Sequence, residues 1–337
     1  MIPEIKALYT DQILHDAARR YGVEPEEVRS LGGFESFVYE YTKQGEDYVL
    51  KITHTLRRSV NYIRGEIEWV NYLADQGIKG SRVVPSEQGN LVEEIAADQG
   101  SFLAIVYVKA RGIDITADVW DEPLFEQWGA MLGRMHRHTK NYEVSSPLIQ
   151  RQTWDQEEQL RADKYLPADD PVIGILEERL KTLRSLPITR DTYGLVHADL
   201  HQKNFFIDHG DIYPFDFDDC GYTYFVNDIG ITLYYAMRYA PTKNDDMTDY
   251  ARTFFRCFME GYLRENSITI EEIAYIQDFI KLRHTLLYIV FIQVGHLSRE
   301  NEEQLQRLLQ HQHEVISEEP LIPLDFVAEF SQLQELS

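Results

Sequence analysis

The chain has 337 residues, 44% hydrophobic and 26% charged, enough for two globular units or one large one with a sizeable core. A formal net charge of −23 and a pI of about 4.8 weigh against non-specific partners such as nucleic acid or an anionic membrane, because both would repel it; so much acid serves solubility first and would also favour cationic small molecules. Cys220 and Cys257 make neither a disulfide framework nor a zinc pattern, the N-terminus has no apolar signal region, and the longest apolar stretch, residues 285–294, is too short to span a bilayer, so a cytoplasmic, reduced setting is expected.

Residues 11–21 repeat apolar side chains at Ile13, Leu14, Ala17 and Ala18, the spacing of a short amphipathic helix that Gly22 ends. Residues 31–53 read as three strands: one ending at Gly32 and Gly33, a second over 37–42, and a third over 48–53. A helix over 59–76 follows, with Ile63, Ile67, Val70 and Leu73 on one stripe and Gly77 as its stop. Two more strands are expected near 91–96 and 102–108. Strands that mostly follow strands argue against a doubly wound sheet.

Past Gly112 the pattern turns helical. Residues 124–139 form a clear helix whose Gly129 and Gly133 suggest a close helix contact. Residues 157–186 hold one or two helices broken at Pro167 and Pro171, and further helices are expected over 226–239, 246–265, 269–294 and 299–316. Residues 195–219, LVHADLHQKNFFIDHGDIYPFDFDD, interrupt them. Two short strands, 205–208 and 211–217, flank a His209-Gly210 tip, which is a hairpin signal. Folding back makes neighbours of Asn204 and Asp216, and an amide oxygen beside a carboxylate suits Mg²⁺. Asp199 would lie one loop turn away, placed to orient a hydroxyl for attack on phosphorus.

The run His197-Ala-Asp199-Leu-His201-Gln-Lys-Asn204, followed by Phe215-Asp216-Phe217, resembles the catalytic segment of protein-kinase-like phosphotransferases. The closer likeness is to the aminoglycoside phosphotransferase and choline kinase-like family, including homoserine kinase type II-like members, where His201 stands in place of the protein kinases' lysine. The resemblance implies an α+β, two-lobed protein-kinase-like fold. Residues 1–107 would form a nucleotide-binding lobe, a small antiparallel β-sheet with one helix. Residues 108–337 would form a large, mainly helical lobe with the catalytic loop and acceptor site. It also implies ATP and Mg²⁺, with ATP between the lobes.

In that frame Asp199 is the catalytic base, and Asn204 and Asp216 are the metal ligands. Lys51 holds the α/β-phosphates and pairs with Glu66, with Glu68 as the other candidate partner. Gly33 and Ser36 belong to a glycine-containing lid over the phosphates (residues 31–38). Val106 and Val108 lie in the stretch 106–109 that bonds adenine through backbone groups. His136 is a structural histidine bonding the catalytic-loop backbone, His197 orients that loop, and Asp228 braces it. Asp218 and Asp219 crowd the metal ligand, and Asp219 caps the following turn.

The function implied is transfer of the ATP γ-phosphate to a hydroxyl of a small, amine-bearing acceptor resembling an aminoglycoside, choline or homoserine. Asp245, Asp246, Glu260, Glu271 and Glu272, with Trp120, Tyr234, Tyr235 and Tyr239, are the candidates for an acceptor wall, although helix charges usually form solvated faces. The alternatives are a Ser/Thr protein kinase of the same fold and a catalytically silent binding protein. The short segment after Asp216 argues against the first, and the joint presence of Lys51, Asp199, Asn204 and Asp216 against the second. A monomer or homodimer is expected.

Overall fold

A computed structural model describes residues 3–33, 35–240, 246–297, 301–317 and 319–336. Phe34, Asp245 and Arg299, each part of a sequence expectation above, lie outside the described residues. The chain divides into two compact units. One comprises Met1–Ile113, Asn141–Arg151 and Phe205–Asp218; the other comprises Asp114–Lys140, Gln152–Asn204 and Asp219–Ser337. Segments 141–151 and 205–218 therefore group with the first unit, whereas a single cut at 107/108 would give them to the second.

In the first unit, helices α1 (Pro3–Leu8) and α2 (Asp11–Arg20) precede β1 (Arg29–Gly32), β2 (Phe37–Lys43) and β3 (Glu46–His54). Helix α3 (Val60–Asp75) follows, then β4 (Val83–Val84), β5 (Glu93–Ala96) and β6 (Ser101–Val108). The antiparallel sheet has the order β1-β2-β3-β6-β4, with β5 also on β6. Strand alternation sends Leu50, Ile52, Ala104 and Val106 into a core with Ile13, Ala17 and Ala18 of α2. The intervening residues, Lys51, Ile105 and Tyr107, take the other face. Burying each large aliphatic in such a core stabilises by about 1.5–3 kcal/mol.

Helix α3 starts where the Ser59 side chain accepts from the Tyr62 N–H at 3.2 Å. Its expected stripe, Ile63, Ile67, Val70 and Leu73, is buried together with Glu66. Gly65 lets the 141–151 segment approach closely, since a Cβ there would stand 2.0 Å from the Ile149 carbonyl oxygen.

In the second unit, α4 (Glu122–Thr139), α5 (Ala162–Tyr165) and α6 (Pro171–Arg184) precede β7 (Tyr193–Val196). Pro171 does not break a helix. It opens α6 at the first turn, where a missing N–H is harmless, and Asp170 caps it.

The hairpin β8 (Phe205–Asp208) and β9 (Asp211–Pro214) belongs to the first unit. There Ile113 and Ile207 exchange two backbone hydrogen bonds of 3.1 Å, and Ser81 N–H donates to Pro214 O at 3.2 Å. Strand β9 is shorter than expected, because Asp216 adopts φ +59, incompatible with an extended strand.

The rest of the second unit is β10 (Gly221–Tyr224), α7 (Phe225–Arg238), α8 (Met247–Glu265), α9 (Ile270–Ile273), α10 (Ile276–Gln293), α11 (Glu302–Ile316) and α12 (Phe326–Leu336). Strands β7 and β10 form an antiparallel pair. The close contact expected of Gly129 and Gly133 is between α4 and α8: added Cβ atoms would meet Phe258 O at 1.8 Å and Tyr262 O at 2.7 Å.

Candidate active site

Each unit carries its own polar cluster. In the first unit, Lys51 Nζ lies 3.1 Å from Asp218 Oδ1 and 3.4 Å from Asp216 Oδ1. The expected Lys51–Glu66 ion pair is replaced by these contacts. Glu66 Oε1 instead accepts from Tyr107 OH at 2.8 Å, and its Oε2 is buried without a hydrogen-bond partner. Burial works to discharge Lys51, yet Asp218, then Asp216 and Glu66, hold its pKa well above the ordinary value. Burial likewise tends to raise the Asp218 carboxyl, but Lys51, Arg57 and Arg58 bring it far below the usual carboxylate range. Glu68, the other candidate, serves segment 141–151, accepting from Tyr142 OH and Ser145 N–H at 2.8 Å each.

The glycine-containing loop has the backbone its sequence suggests. Gly33 has φ +132, and a Cβ there would stand 2.0 Å from Ser36 O, so glycine is required. Ser36 is buried, and its Oγ finds no partner. The adenine expectation turns on backbone groups of residues 106–109. Val106 is wholly buried and paired with Leu50 and Val84, on the α2 side of the sheet. The Val108 N–H donates to Arg82 O at 2.7 Å and the Lys109 N–H to Asp47 O at 2.9 Å. Those backbone donors are committed to the protein itself.

In the second unit, the loop after β7 is clamped by α7. Ala198 has φ +63, a sparsely populated conformation for a residue with a Cβ. Its N–H donates to Asp228 Oδ1 at 3.0 Å, while Thr232 Oγ1 donates to Leu200 O at 3.1 Å. His136 does not reach that loop's backbone. It bonds Asp228 Oδ2 at 3.0 Å and the Tyr262 hydroxyl at 2.9 Å, so it holds the residue that holds the loop. Burial drives the His136 pKa down and keeps the ring neutral there.

Asp199 is half-buried and surrounded by donors. Asn204 Nδ2 donates to its backbone oxygen at 2.9 Å and to its Oδ2 at 3.2 Å, and His201 Nε2 is 3.5 Å from Oδ2. Arg283, on α10, pairs with its Oδ1 and also donates to Tyr235 OH at 2.7 Å. Burial pushes the Asp199 carboxyl up, but Arg283 foremost, then His201 and His197, bring it below the ordinary range. The result is an ionised carboxylate fixed in orientation. Asn204 is anchored on Asp199 through its amide nitrogen.

Most residues of the expected acceptor wall are engaged elsewhere or exposed. Asp246 caps α8, Glu272 caps α9, and Glu260 and Glu271 are exposed. Trp120 is buried with its N–H on Tyr250 OH at 3.0 Å, and the buried Tyr234 bonds His284 at 3.0 Å. Tyr235 shares Arg283 with Asp199, its ring 4.6 Å from His201 and 5.6 Å from Tyr239.

With these clusters in view, comparison with known proteins is decisive. Residues 27–263 match the model of a phosphotransferase enzyme family. The chain belongs to that family. An amicoumacin kinase of Bacillus subtilis (strain 168) is 42% identical over 325 residues, covering 96% of this chain and 97% of that protein. The solved structure of amicoumacin kinase hAmiN, in complex with AMP-PNP, Ca²⁺ and Ami, is 40% identical with a TM-score of 0.94, and each chain is covered to 100%. A microcompartment-associated aminopropanol kinase, 17% identical, shares the fold with a TM-score of 0.72 over 91% of this chain and 95% of its own. The family member is thus a phosphotransferase acting on hydroxyl groups, built on the α+β protein-kinase-like fold.

Arg57, Arg283 and the part played by Asp218 were missed in the sequence. Neither arginine lies in a motif, and Arg283 stands 84 residues from the aspartate it pairs with. The signal within reach was the acidic run 216–219, which demands cations.

Proposed function

We propose that the protein transfers the γ-phosphate of ATP to a hydroxyl of a small molecule, and that amicoumacin is the first acceptor to try, ahead of aminoglycoside-, choline- and homoserine-like alcohols. The observation that carries this reading is the 42% identity to an amicoumacin kinase along nearly the whole of both chains.

Asp199 accepts the hydroxyl proton, kept ionised by Arg283 and held on a loop that Asp228 and Thr232 fix. Lys51 contacts the donor phosphates, with Gly33 and Ser36 in the loop above them. The buried Ser36 Oγ and Glu66 Oε2, both without hydrogen-bond partners, are polar atoms that suit contact with a polar ligand. Asn204 and Asp216 supply the oxygen donors a divalent cation prefers, and Mg²⁺ is the ion assigned. That cation supplies charge neutralisation to the phosphates. Tyr235 and His201, next to Asp199, form the aromatic side of the acceptor site. The Val108 N–H, taken by Arg82 O, has no donor role toward adenine. A monomer or homodimer acting in the cytoplasm completes the reading, with no nucleic-acid or membrane partner, in keeping with the net charge of −23.

The test is ADP release from ATP·Mg²⁺ with amicoumacin and a panel of amino alcohols. Turnover well above the rate without acceptor is expected for amicoumacin. Release that no acceptor stimulates would sink the proposal.

A further inference from the structure

The first unit holds a cation that the assignments above leave without a task. Strand β3 ends at His54, whose carbonyl accepts the Arg57 N–H at 2.9 Å and the Arg58 N–H at 3.1 Å. The tight turn thus formed aims Arg57 back at the cluster around Lys51. The Arg57 side chain is only 9% exposed. Its Nη2 pairs with Asp218, and also with Glu35 in the glycine-containing loop. Both carboxylates gather on that single nitrogen, and Nη1 is buried with no acceptor at all. Ser36 Oγ, next in sequence to Glu35, is likewise buried without a partner.

An N–H donor sealed from water and left unpaired is penalised, and such atoms in a folded protein ask for an explanation. A guanidinium with one committed and one open nitrogen suits a phosphate, whose several oxygens can accept from it in a fork. Lys51 shares Asp218 with Arg57, so the two cations border one carboxylate. We propose that Arg57 is a second cationic ligand of the donor phosphate chain, working with Lys51, and that Asp218 holds its guanidinium in place before nucleotide arrives. This rests on ATP being the donor. Lys51 delivers a point charge to the phosphates, while Arg57 adds directional N–H donors from the turn before α3. Glu35 competes with the phosphates for Arg57, which makes the loop responsive to nucleotide.

Equilibrium binding of ATP and of adenosine, by calorimetry, separates this role from a structural one. Arg57→Gln should weaken ATP about 10-fold or more, the loss of one charge-assisted hydrogen bond, and leave adenosine unchanged. Arg57→Lys retains a charge for Asp218; it should melt like the wild type yet bind ATP more weakly, and it decides the matter if the glutamine variant does not fold. Glu35→Gln should bind ATP as well as the wild type or better. Equal ATP affinity in wild type and both Arg57 variants overturns the proposal. So does a parallel loss of adenosine binding, or a loss in Glu35→Gln as large as in Arg57→Gln, since the pair would then merely brace the loop. A wild type that binds no ATP overturns the donor reading itself.

Discussion

Replacing Arg283 by glutamine probes the proposed base most sharply, because one guanidinium does most to keep the Asp199 carboxylate charged. Both side chains are largely enclosed, with exposures of 17% for Arg283 and 19% for Asp199. Burial alone would raise the Asp199 pKa; Arg283 reverses this and sets it below the ordinary value. An opposite charge in contact is worth about 1–3 pKa units, roughly 1.4 kcal/mol per unit. Without it burial is opposed only by His201 and His197, so the Asp199 pKa rises. In the proposed mechanism the deprotonated form is the active one. The acid limb of kcat/KM should therefore move upward by about 1–3 pH units.

Stability follows the same sign. In the wild type the depressed pKa contributes stability that is present above the unfolded pKa of about 3.9 and is lost as pH falls through the folded value. In Arg283→Gln that contribution disappears, and at neutral pH a poorly compensated carboxylate destabilises by about 3 kcal/mol, the lower end for breaking an enclosed pair. The assay is a pH series of initial rates beside urea melts at pH 5 and pH 8. An acid limb that stays put, or shifts to lower pH, would refute the reasoning.

Gly129→Ala would press a methyl group onto the Phe258 carbonyl, at 1.8 Å before relaxation, and should lower stability by roughly 1–3 kcal/mol in a denaturant titration. Asp216→Ala removes one proposed metal ligand, so the rise in melting temperature that ATP gives with Mg²⁺ should fall to the level seen with ATP alone.

Elements with a full period of hydrophobic signal were legible. Helix α3 shows its stripe at Ile63, Ile67, Val70 and Leu73, and all four are buried. The two-residue β4 and the four-residue β7 and β10 are too short to carry a period, and their pairing comes from distant partners. Helix α12 was not anticipated either. The motif residues Asp199 and Asn204 could be found because one loop holds both, and hydrogen bonds within that loop join them. The electrostatic partners were not legible, since Arg57 and Arg283 are ordinary arginines until folding places them against carboxylates. Glu66 was expected to answer Lys51, but Asp218 does so, and Glu66 turns to Tyr107 on the neighbouring strand. The surroundings of Val106 and Val108 follow from register: alternation along β6 commits the Val106 side chain to the α2 core, and the Arg82 carbonyl occupies the Val108 N–H.

The central claim is phosphoryl transfer to a small-molecule hydroxyl with Asp199 as base, and mass spectrometry of the acceptor tests it most directly. Amicoumacin incubated with ATP, Mg²⁺ and wild-type protein should gain one phosphoryl group, while Asp199→Asn, still binding ATP, should be slower by about 100-fold or more. Unmodified amicoumacin with the wild type would contradict the acceptor assignment, and full activity in Asp199→Asn would contradict the base.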